Sequence, residues 1–476
     1  MRSGVADARM KRQRLEDASG PAGGPDRIES VVAEARSAGD RLAERDAAAT
    51  RRVVEAVAER LADRERIGRV AGTAVAETER GHSGAKLEKV ATAIDGARAR
   101  LRDAPTVGRV ERDGPRGEFA VANPVGVVGV TVPATHPIVV PAVTSLFALA
   151  GRNAVVFAPS PSTVETCDVV VEEIRRALAE VGVPTEAVST VPAPASKPGT
   201  DSLFERVDLV VGSGSETTVA AGQRCGTPNL CAGADGLVAV SDGSASTAAV
   251  ATRVAVGATY DFGTHPASEA AVVTMSPAVD ELIGALEDEG GYRLDERERD
   301  RLREGLRGET GEWESPHGNS PRWFASALEL SADARDVAFL IAEPDDSDDP
   351  LAMLPGIPAV SVHGVDGFGE AVALADDLGG PHAAAVHTTR QGRVQRVAER
   401  LRPGRLVVNQ PGTAAAGAPR SGFPAAPIVG GGVDEGSQLS GGLAPTDFVE
   451  TTRVSVTTVA DRPTGADGAG DTLRGP

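Results

Sequence analysis

Residues 125–132 read Val-Gly-Val-Val-Gly-Val-Thr-Val and decide the fold. A β-branched run that carries glycine and no charge is typical of a strand buried on both faces of a sheet. Similar runs follow at 153–157 and 207–211, and residues 162–181 between them show helical spacing that ends at 182–184, Gly-Val-Pro. Because strand, helix and strand alternate, the sequence predicts right-handed βαβ units, a parallel sheet and an α/β fold class.

A second α/β region is predicted over residues 241–443. Its strands are expected at 271–274, 337–341, 359–362, 383–387 and 405–408, and its helices at 278–287, 294–305, 367–377 and 390–400. Residues 447–459 alternate like one late strand that returns to an earlier sheet.

These patterns divide the chain into five parts. Residues 1–26 are rich in Gly, Asp and Arg and are predicted to be disordered. Residues 27–240 hold N-terminal helices, over 27–103, and the first sheet domain. Residues 241–443 form the second domain, 444–460 the returning strand, and 461–476 a flexible tail.

Residues 119–151 carry no charged side chain and are long enough to suggest a membrane span. Prolines at 124, 133, 137 and 141 interrupt any continuous helix there. We therefore interpret this stretch as buried strands and loops, and we expect no membrane partner.

Charge and cysteine content narrow the class of protein further. The 476 residues carry a net charge of −19, which disfavours nucleic acid and anionic membranes as partners. Lysine occurs only at positions 11, 86, 89 and 197, so arginine supplies most positive charge. This pattern favours a halophilic protein over an ordinary acidic one. Three irregularly spaced cysteines, Cys167, Cys225 and Cys231, and the absence of an apolar leader in residues 1–12 favour the cytoplasm.

The decapeptide 260–269 reads Tyr-Asp-Phe-Gly-Thr-His-Pro-Ala-Ser-Glu. It resembles the active-site segment of CoA-acylating aldehyde dehydrogenases, Phe-Asp-Asn-Gly-Thr-x-Cys-Ala-Ser-Glu. Pro266 stands where that segment has its cysteine nucleophile. A proline ring offers no atom that can attack a carbonyl.

Further blocks resemble the same branch in the same order along roughly residues 30–460. They are the helix end from Glu77 to Lys86, the strands 123–129, 151–157 and 405–409, the turn 226–228, and the glycines 430–432 with 447–448. The resemblance implies an aldehyde dehydrogenase-like fold of two Rossmann-like parallel-sheet domains plus a small oligomerisation arm, and therefore a homo-oligomer.

The resemblance also implies NAD or NADP as cofactor, coenzyme A as a further ligand, and an aldehyde or acyl-CoA as substrate. No Gly-x-Gly-x-x-Gly follows the first strand, but parallel sheets bind nucleotides at the carboxyl ends of their strands. The residues expected to contact the cofactor lie after the first three strands: Pro133, Ala134, Thr135, Pro159, Gly212, Ser213 and Gly214.

The reaction of the resembled enzymes needs a thiolate nucleophile and an oxyanion hole. The hole's asparagine corresponds to His136, within Pro133-Ala134-Thr135-His136-Pro137. His382 matches a histidine near the CoA site, and His265 precedes Pro266. Histidine can act as an acid or base near neutrality, so His136 and His382 are candidate catalytic residues beside Pro266.

Several alternatives remain open at this stage. Cys225 and Cys231 flank the turn 226–228 and could replace the lost thiol, although free cysteines are more often buried apolar residues. No His or Cys spacing indicates a metal site, which also weakens a histidinol dehydrogenase-like reaction. The chain is then either a dehydrogenase with altered catalytic groups or an inactive paralogue that binds nucleotide or CoA or supports a partner enzyme.

Overall fold

The computed structural model describes residues 25–111, 118–193, 195–233, 236–307, 316–331, 336–380, 382–417, 421–432 and 436–455. The predicted disordered segment, except its last two residues, and the predicted tail lie outside these ranges.

Within the described residues, four helices precede the first parallel sheet, where the sequence showed one long helical pattern. Asp46 and Asp63 begin the second and third helices by accepting hydrogen bonds from the backbone N–H groups of Ala49 (2.7 Å) and Arg66 (2.9 Å). The helices are α1 (Pro25–Ala43), α2 (Ala47–Leu61), α3 (Arg64–Thr78) and α4 (Ser83–Arg102).

The first parallel sheet contains the run that opened the sequence. In its described part the strand order is β5-β4-β3-β6-β7, and all six residues of β3 and of β4 are buried. The strands are β3 (Val127–Val132), β4 (Ala154–Pro159), β5 (Val188–Thr190), β6 (Leu209–Ser213) and β7 (Asn229–Ala232). Helices α6 (Val164–Glu180), α7 (Lys197–Phe204) and α8 (Glu216–Arg224) connect them. The predicted α/β class with parallel sheets is confirmed.

The interpretation of residues 119–151 as strands and loops was wrong in its second half. Val139–Ala150 forms helix α5, and all twelve of its residues are buried. Pro141 is the third residue of that helix, where a backbone N–H has no intrahelical acceptor, so the ring removes no hydrogen bond.

The second parallel sheet has the described order β10-β11-β12-β9-β8-β13-β14. Its first strand along the chain, β8, spans Leu237–Ser241 and therefore crosses the expected domain boundary at residue 240. The other strands are β9 (Glu269–Met275), β10 (Gly291–Arg293), β11 (Phe339–Ala342), β12 (Ala359–Val365), β13 (Ala383–His387) and β14 (Arg405–Val408). The helices are α9 (Thr247–Thr259), α10 (Val279–Asp288), α11 (Glu296–Arg307), α12 (Pro321–Ala327), α13 (Phe368–Leu378) and α14 (Gln391–Leu401).

A small antiparallel sheet joins the two ends of the chain. Strand β2 (Glu118–Pro124) pairs with β1 (Gly108–Glu111) on one side and with β17 (Val449–Ser455) on the other. The predicted late strand thus returns to an earlier sheet, although residues 456–459 lie outside the described part. Strands β15 (Val429–Gly431) and β16 (Ser440–Gly442) form a short hairpin.

Among the described residues, no helix is both long enough and apolar enough to cross a membrane.

Candidate functional site

Three loops meet at the carboxyl edge of the first sheet. Val132 at the end of β3 lies in register with Pro159 at the end of β4. Thr131 ties β3 to β6, because its hydroxyl accepts a hydrogen bond from Ser213 N (2.8 Å) and donates one to Ser213 O (3.0 Å). The residues expected from sequence to contact the cofactor therefore share one edge of one sheet.

A cavity of about 400 Å³ opens beside this edge. Its walls are mostly apolar and come from α4 and α5, from the loop after β3, from Ser213 at the end of β6, from the segment 260–267, and from residues 410–417 and 421–429. Pro133, Thr135 and Ser213 line it, whereas Ala134, Pro159, Gly212 and Gly214 lie outside its lining. The predicted catalytic residues also share this cavity: Pro266, His136, His382 and, beside them, His265.

Residues 261–263 adopt a left-handed backbone that positions one side of the cavity. Asp261, Phe262 and Gly263 have φ of 49°, 57° and 75°. Glycine is required at 263, because a Cβ there would collide with the carbonyl oxygen of Ile357. For a residue with a side chain this conformation costs about 1–2 kcal/mol, so other contacts must hold it.

The carboxylate of Asp261 supplies those contacts. It is fully buried and accepts hydrogen bonds from Lys89 Nζ (2.7 Å), Lys86 Nζ (3.2 Å), Thr264 Oγ1 (2.9 Å) and the backbone N–H of His82 (2.8 Å). Burial alone would raise the pKa of Asp261, but Lys89 and Lys86 outweigh it and lower that pKa. The segment is thus fixed to helix α4 by a buried cluster of two lysines and one aspartate.

His136 and His265 face each other across the cavity wall. Their rings are nearly perpendicular, with centroids 5.6 Å apart, and the His265 ring is 5.7 Å from that of Tyr260. Burial, assisted by the charge of Lys89, lowers the pKa of His265 to about 3 and that of His136 well below its usual value. Both imidazoles are therefore neutral at pH 7.

The hydrogen bonds of His265 settle its tautomer. The backbone N–H of Ala267 donates to His265 Nδ1 at 3.1 Å, so the ring proton resides on Nε2. His136 Nδ1 lies 3.2 Å from the hydroxyl of Thr135. Neutral rings of this kind can donate a hydrogen bond to a carbonyl oxygen but do not supply a full positive charge.

His382 holds the neighbouring backbone. Its Nε2 lies 2.9 Å from the carbonyl oxygen of Pro266, and the residue is almost fully buried. Since a carbonyl oxygen accepts, the Nε2 proton is used in that contact. His382 thus fixes the position of Pro266 at the cavity wall.

No cysteine of the described residues lines this cavity. The Cys231 thiol packs between Gly212 and Gly222, and burial raises its pKa to about 12. Cys225 donates to the carbonyl oxygen of Gly222 at 3.0 Å, and Cys167 is fully buried in α6. The turn 226–228 precedes β7 and lies at the opposite edge of the sheet, whereas Cys231 is in register with Gly212 near the carboxyl edge but does not line the cavity.

The loop Gly212–Gly214 has room for a ligand. Gly214 has φ of +136°, and a Cβ there would meet only Pro133, at 3.7 Å. The loop leads into α8, whose first backbone N–H groups have no partner inside the helix and so suit a phosphate.

Sequence reasoning missed Lys89, Tyr260 and Asp261 as site residues. Lys89 and Tyr260 line the cavity, with Lys89 Nζ 5.8 Å from the Tyr260 ring centroid. A usable signal was present: two of the four lysines of the chain stand three residues apart, on one helical face.

In the described part of the chain, no group of three or more His, Cys, Asp or Glu side chains is arranged to hold a metal ion.

The chain is similar in sequence and in fold to known aldehyde dehydrogenases. The chain is 30% identical over 452 residues to an acylating sulfoacetaldehyde dehydrogenase of Cupriavidus necator, covering 93% of this chain and 92% of that protein. Its fold matches the crystal structure of an acetylating aldehyde dehydrogenase from Geobacillus thermoglucosidasius, with a TM-score of 0.86, 25% identity and coverage of 93% and 98%.

Two other solved structures share the fold and contain ligands. A propionaldehyde dehydrogenase of Rhodopseudomonas palustris holds CoA and an acylated cysteine (TM-score 0.79, 21% identity, coverage 90% and 97%). An engineered glycolyl-CoA reductase holds NADP+ (TM-score 0.79, 22% identity, coverage 90% and 96%).

A sequence model of the "Aldehyde dehydrogenase family" matches residues 13–257, which is more than half of the chain. The fold, the order of the sequence blocks and the close relatives agree with that match. The chain therefore belongs to the aldehyde dehydrogenase family.

Proposed function

We propose that this protein is an NAD(P)-binding oxidoreductase of the aldehyde and acyl-CoA class in which the usual thiol mechanism does not operate. The observation that carries the proposal is the cavity itself: histidines and Pro266 line it, and no thiol of the described residues reaches it. We propose further that Pro266 occupies the position of the nucleophile of its relatives.

Support for a nucleotide comes from the carboxyl edge of the first sheet. Pro133–Thr135, Pro159 and Gly212–Gly214 lie at the carboxyl ends of three neighbouring parallel strands, the position where such sheets bind nucleotides. A bound nicotinamide would accept a hydride from the substrate. In that arrangement Thr135 and Ser213 would border the ligand from the nucleotide side of the cavity.

Support for a carbonyl-bearing substrate comes from the opposite wall. His265 carries its proton on Nε2, and His136 stands beside it, so either neutral ring can donate a hydrogen bond to a carbonyl oxygen. His382 would hold this wall in place by binding the backbone of Pro266.

The same observation favours a second candidate, an inactive paralogue that binds nucleotide or CoA or supports a partner enzyme. Loss of a covalent nucleophile costs several orders of magnitude in rate, about 10⁴-fold or more in well-studied hydrolases. We also propose a homo-oligomer, because β17 is an edge strand of the three-stranded sheet among the described residues and a second chain could pair with it.

Calorimetric titration with NAD, NADP and CoA at high salt separates these candidates. We expect one nicotinamide nucleotide to bind and no acyl-CoA to form from aldehyde and CoA in the unmodified protein. Binding without turnover of any aldehyde supports the paralogue, and failure of all three ligands to bind contradicts the oxidoreductase and the ligand-binding form of the paralogue.

Replacement of Pro266 by cysteine tests the position of the lost nucleophile. We expect P266C to gain aldehyde oxidation that iodoacetamide abolishes. A267C is the matched control, because it puts a thiol one residue further along the same cavity wall. Equal gain in both variants, or gain in the control alone, would contradict the assignment of Pro266.

A further inference from the structure

Helix α4 presents a primary amine to the cavity. Lys89 is 8% exposed and lines the cavity together with Tyr260, His265 and Pro266. We propose that Lys89 is a carbonyl-capturing amine that binds aldehydes covalently and reversibly as a Schiff base. This inference rests on the proposed function only in taking an aldehyde as the ligand of the cavity.

The charge balance of the buried cluster leaves one amine free to be neutral. Lys86 and Lys89 share a single carboxylate, Asp261, whose side chain is fully buried. With both lysines protonated the cluster carries an excess positive charge among apolar walls, which is unfavourable. If one lysine is neutral, the cluster balances and all its hydrogen bonds can remain, because a neutral amine still donates.

The structure indicates which lysine can react as a neutral amine at mildly alkaline pH. Lys89 borders the cavity, whereas Lys86 does not. Burial and the charge of Lys86 together outweigh the opposing carboxylate of Asp261 and lower the pKa of Lys89 to about 8. The other titratable groups that line the cavity are Glu88, exposed at its rim, Tyr260, His382, and the neutral His136 and His265.

The step is balanced without any further reactant. The neutral amine of Lys89 adds to the aldehyde carbon, a C–N bond forms, and the carbonyl oxygen becomes a hydroxyl. Both amine hydrogens leave with that oxygen as water, and a C=N bond remains. Asp261, 2.7 Å from Lys89 Nζ, is placed to accept and return the proton that moves between nitrogen and oxygen.

Reductive trapping tests the proposal on the intact chain. The purified protein is incubated at pH 8 with propionaldehyde and cyanoborohydride, without nucleotide, and the propyl groups are located by peptide mass spectrometry. Because the chain has only four lysines, each site can be measured separately. We expect Lys89 to be labelled at least about tenfold faster than the exposed Lys197, since an ordinary lysine with a pKa of about 10.4 is almost entirely protonated at pH 8.

Matched variants and pH complete the test. K89R should lose the fast label, and K197R should keep it. The labelling rate of Lys89 should level off above about pH 8, while that of Lys197 continues to rise through pH 10. Labelling of Lys89 no faster than Lys197, in the unmodified protein, overturns the proposal.

This result is independent of the test of nucleotide binding. Fast labelling of Lys89 in a protein that binds no nucleotide supports the amine and contradicts the oxidoreductase. Nucleotide binding with an unreactive Lys89 supports the oxidoreductase and contradicts the proposed Schiff base.

Discussion

The two parallel sheets end in loops of opposite character at their carboxyl edges. In the second sheet, Asp242 follows β8 and is closed in by Ser244 N (2.8 Å), Ser244 Oγ (2.6 Å), Thr388 Oγ1 (2.6 Å) and Arg393 (2.6 Å). Asn409, after β14, donates to Thr388 O at 2.8 Å. In the first sheet the corresponding loops are short, carry proline and glycine, and border the cavity.

The difference shows how one architecture serves two purposes. The polar groups at the edge of the second sheet satisfy each other, so that edge contributes to stability. The edge of the first sheet keeps backbone groups and space for a ligand. Substitutions at the two edges should therefore affect different measurements, and the buried cluster between the domains should matter most for stability.

The largest effect is expected from Asp261→Ala. Removing the carboxylate leaves Lys86 and Lys89 buried without a counter-charge and releases the left-handed turn at 261–263. We expect a loss of about 3–5 kcal/mol in the free energy of unfolding, measured by urea denaturation. Asp95→Ala, at an exposed position of helix α4, which carries the two lysines, is the control. If D261A loses no more free energy of unfolding than the control, the cluster does not stabilise the fold.

The second effect concerns Glu269, which begins β9 at the amino edge of the second sheet. Its carboxyl group is buried, accepts one hydrogen bond from Gly412 N, and has its pKa raised to about 8 by burial. Because the folded pKa is higher than the unfolded one, the stability it contributes is complete below about pH 4.5 and is lost as pH rises towards 8.

Glu269→Gln removes that dependence, since the amide oxygen can keep the bond from Gly412. We expect the variant to be more stable at pH 7 by at most about 3 kcal/mol and to unfold at a temperature that changes less between pH 5 and 8. Glu281→Gln, exposed on α10, should leave the profile unchanged. Parallel profiles for E269Q and the unmodified protein would show that Glu269 is ionised in the fold.

A smaller loss in the free energy of unfolding is expected from Asp242→Ala, which removes the carboxylate that joins the loops at the carboxyl edge of the second sheet. Arg393 is partly exposed and can turn to solvent, so the cost is limited to about 2 kcal/mol from unpaired hydroxyls and one lost ion pair. Nucleotide affinity should not change. Asp366→Ala, exposed at the same edge after β12, is the control for stability. A large loss of nucleotide affinity in D242A would place a ligand at this edge as well.

The smallest effect on stability, and a selective effect on binding, is expected from Gly214→Ala. Its φ of +136° is unfavourable for alanine, so the loop should shift at a cost of about 1 kcal/mol. We expect nucleotide affinity to fall about tenfold, equivalent to about 1.4 kcal/mol, by calorimetry. Gly226→Ala has similar strain (φ +84°) at the opposite edge of the sheet and should bind normally. Equal nucleotide affinity in both variants would show that the carboxyl edge of the first sheet is no more important for binding than its amino edge.

Much of the fold could be predicted because local sequence and burial agree. The strands 383–387 and 405–408 were expected with the bounds that the structure has, since short apolar runs between glycine, proline and charged residues mark buried strands. The helix Val139–Ala150 was missed because its prolines were taken as breaks, whereas the only one inside it lies in the first turn. Short strands such as Gly291–Arg293 carry too few residues to show a period.

The site was predictable only in part. Resemblance brought His136, Pro266 and His382 together in one cavity, which charge and periodicity alone could not do. The lysine cluster was not predicted as a site, because Lys89 and Asp261 are 172 residues apart and meet only in the folded chain. Long-range pairing of this kind leaves no local signal.

The buried helix Val139–Ala150 limits which wall of the cavity can move when a ligand binds. His136 lies in the turn that enters this helix, and its carbonyl oxygen accepts a hydrogen bond from Val140 N at 3.3 Å. The residue is also buried, so we expect its ring to move little when a ligand binds. Aldehydes of different length should therefore be accommodated by movement of the wall formed by residues 410–417 and 421–429, while the imidazole keeps its position. Crystals grown with short and long aldehydes would show this as displacement of one wall only.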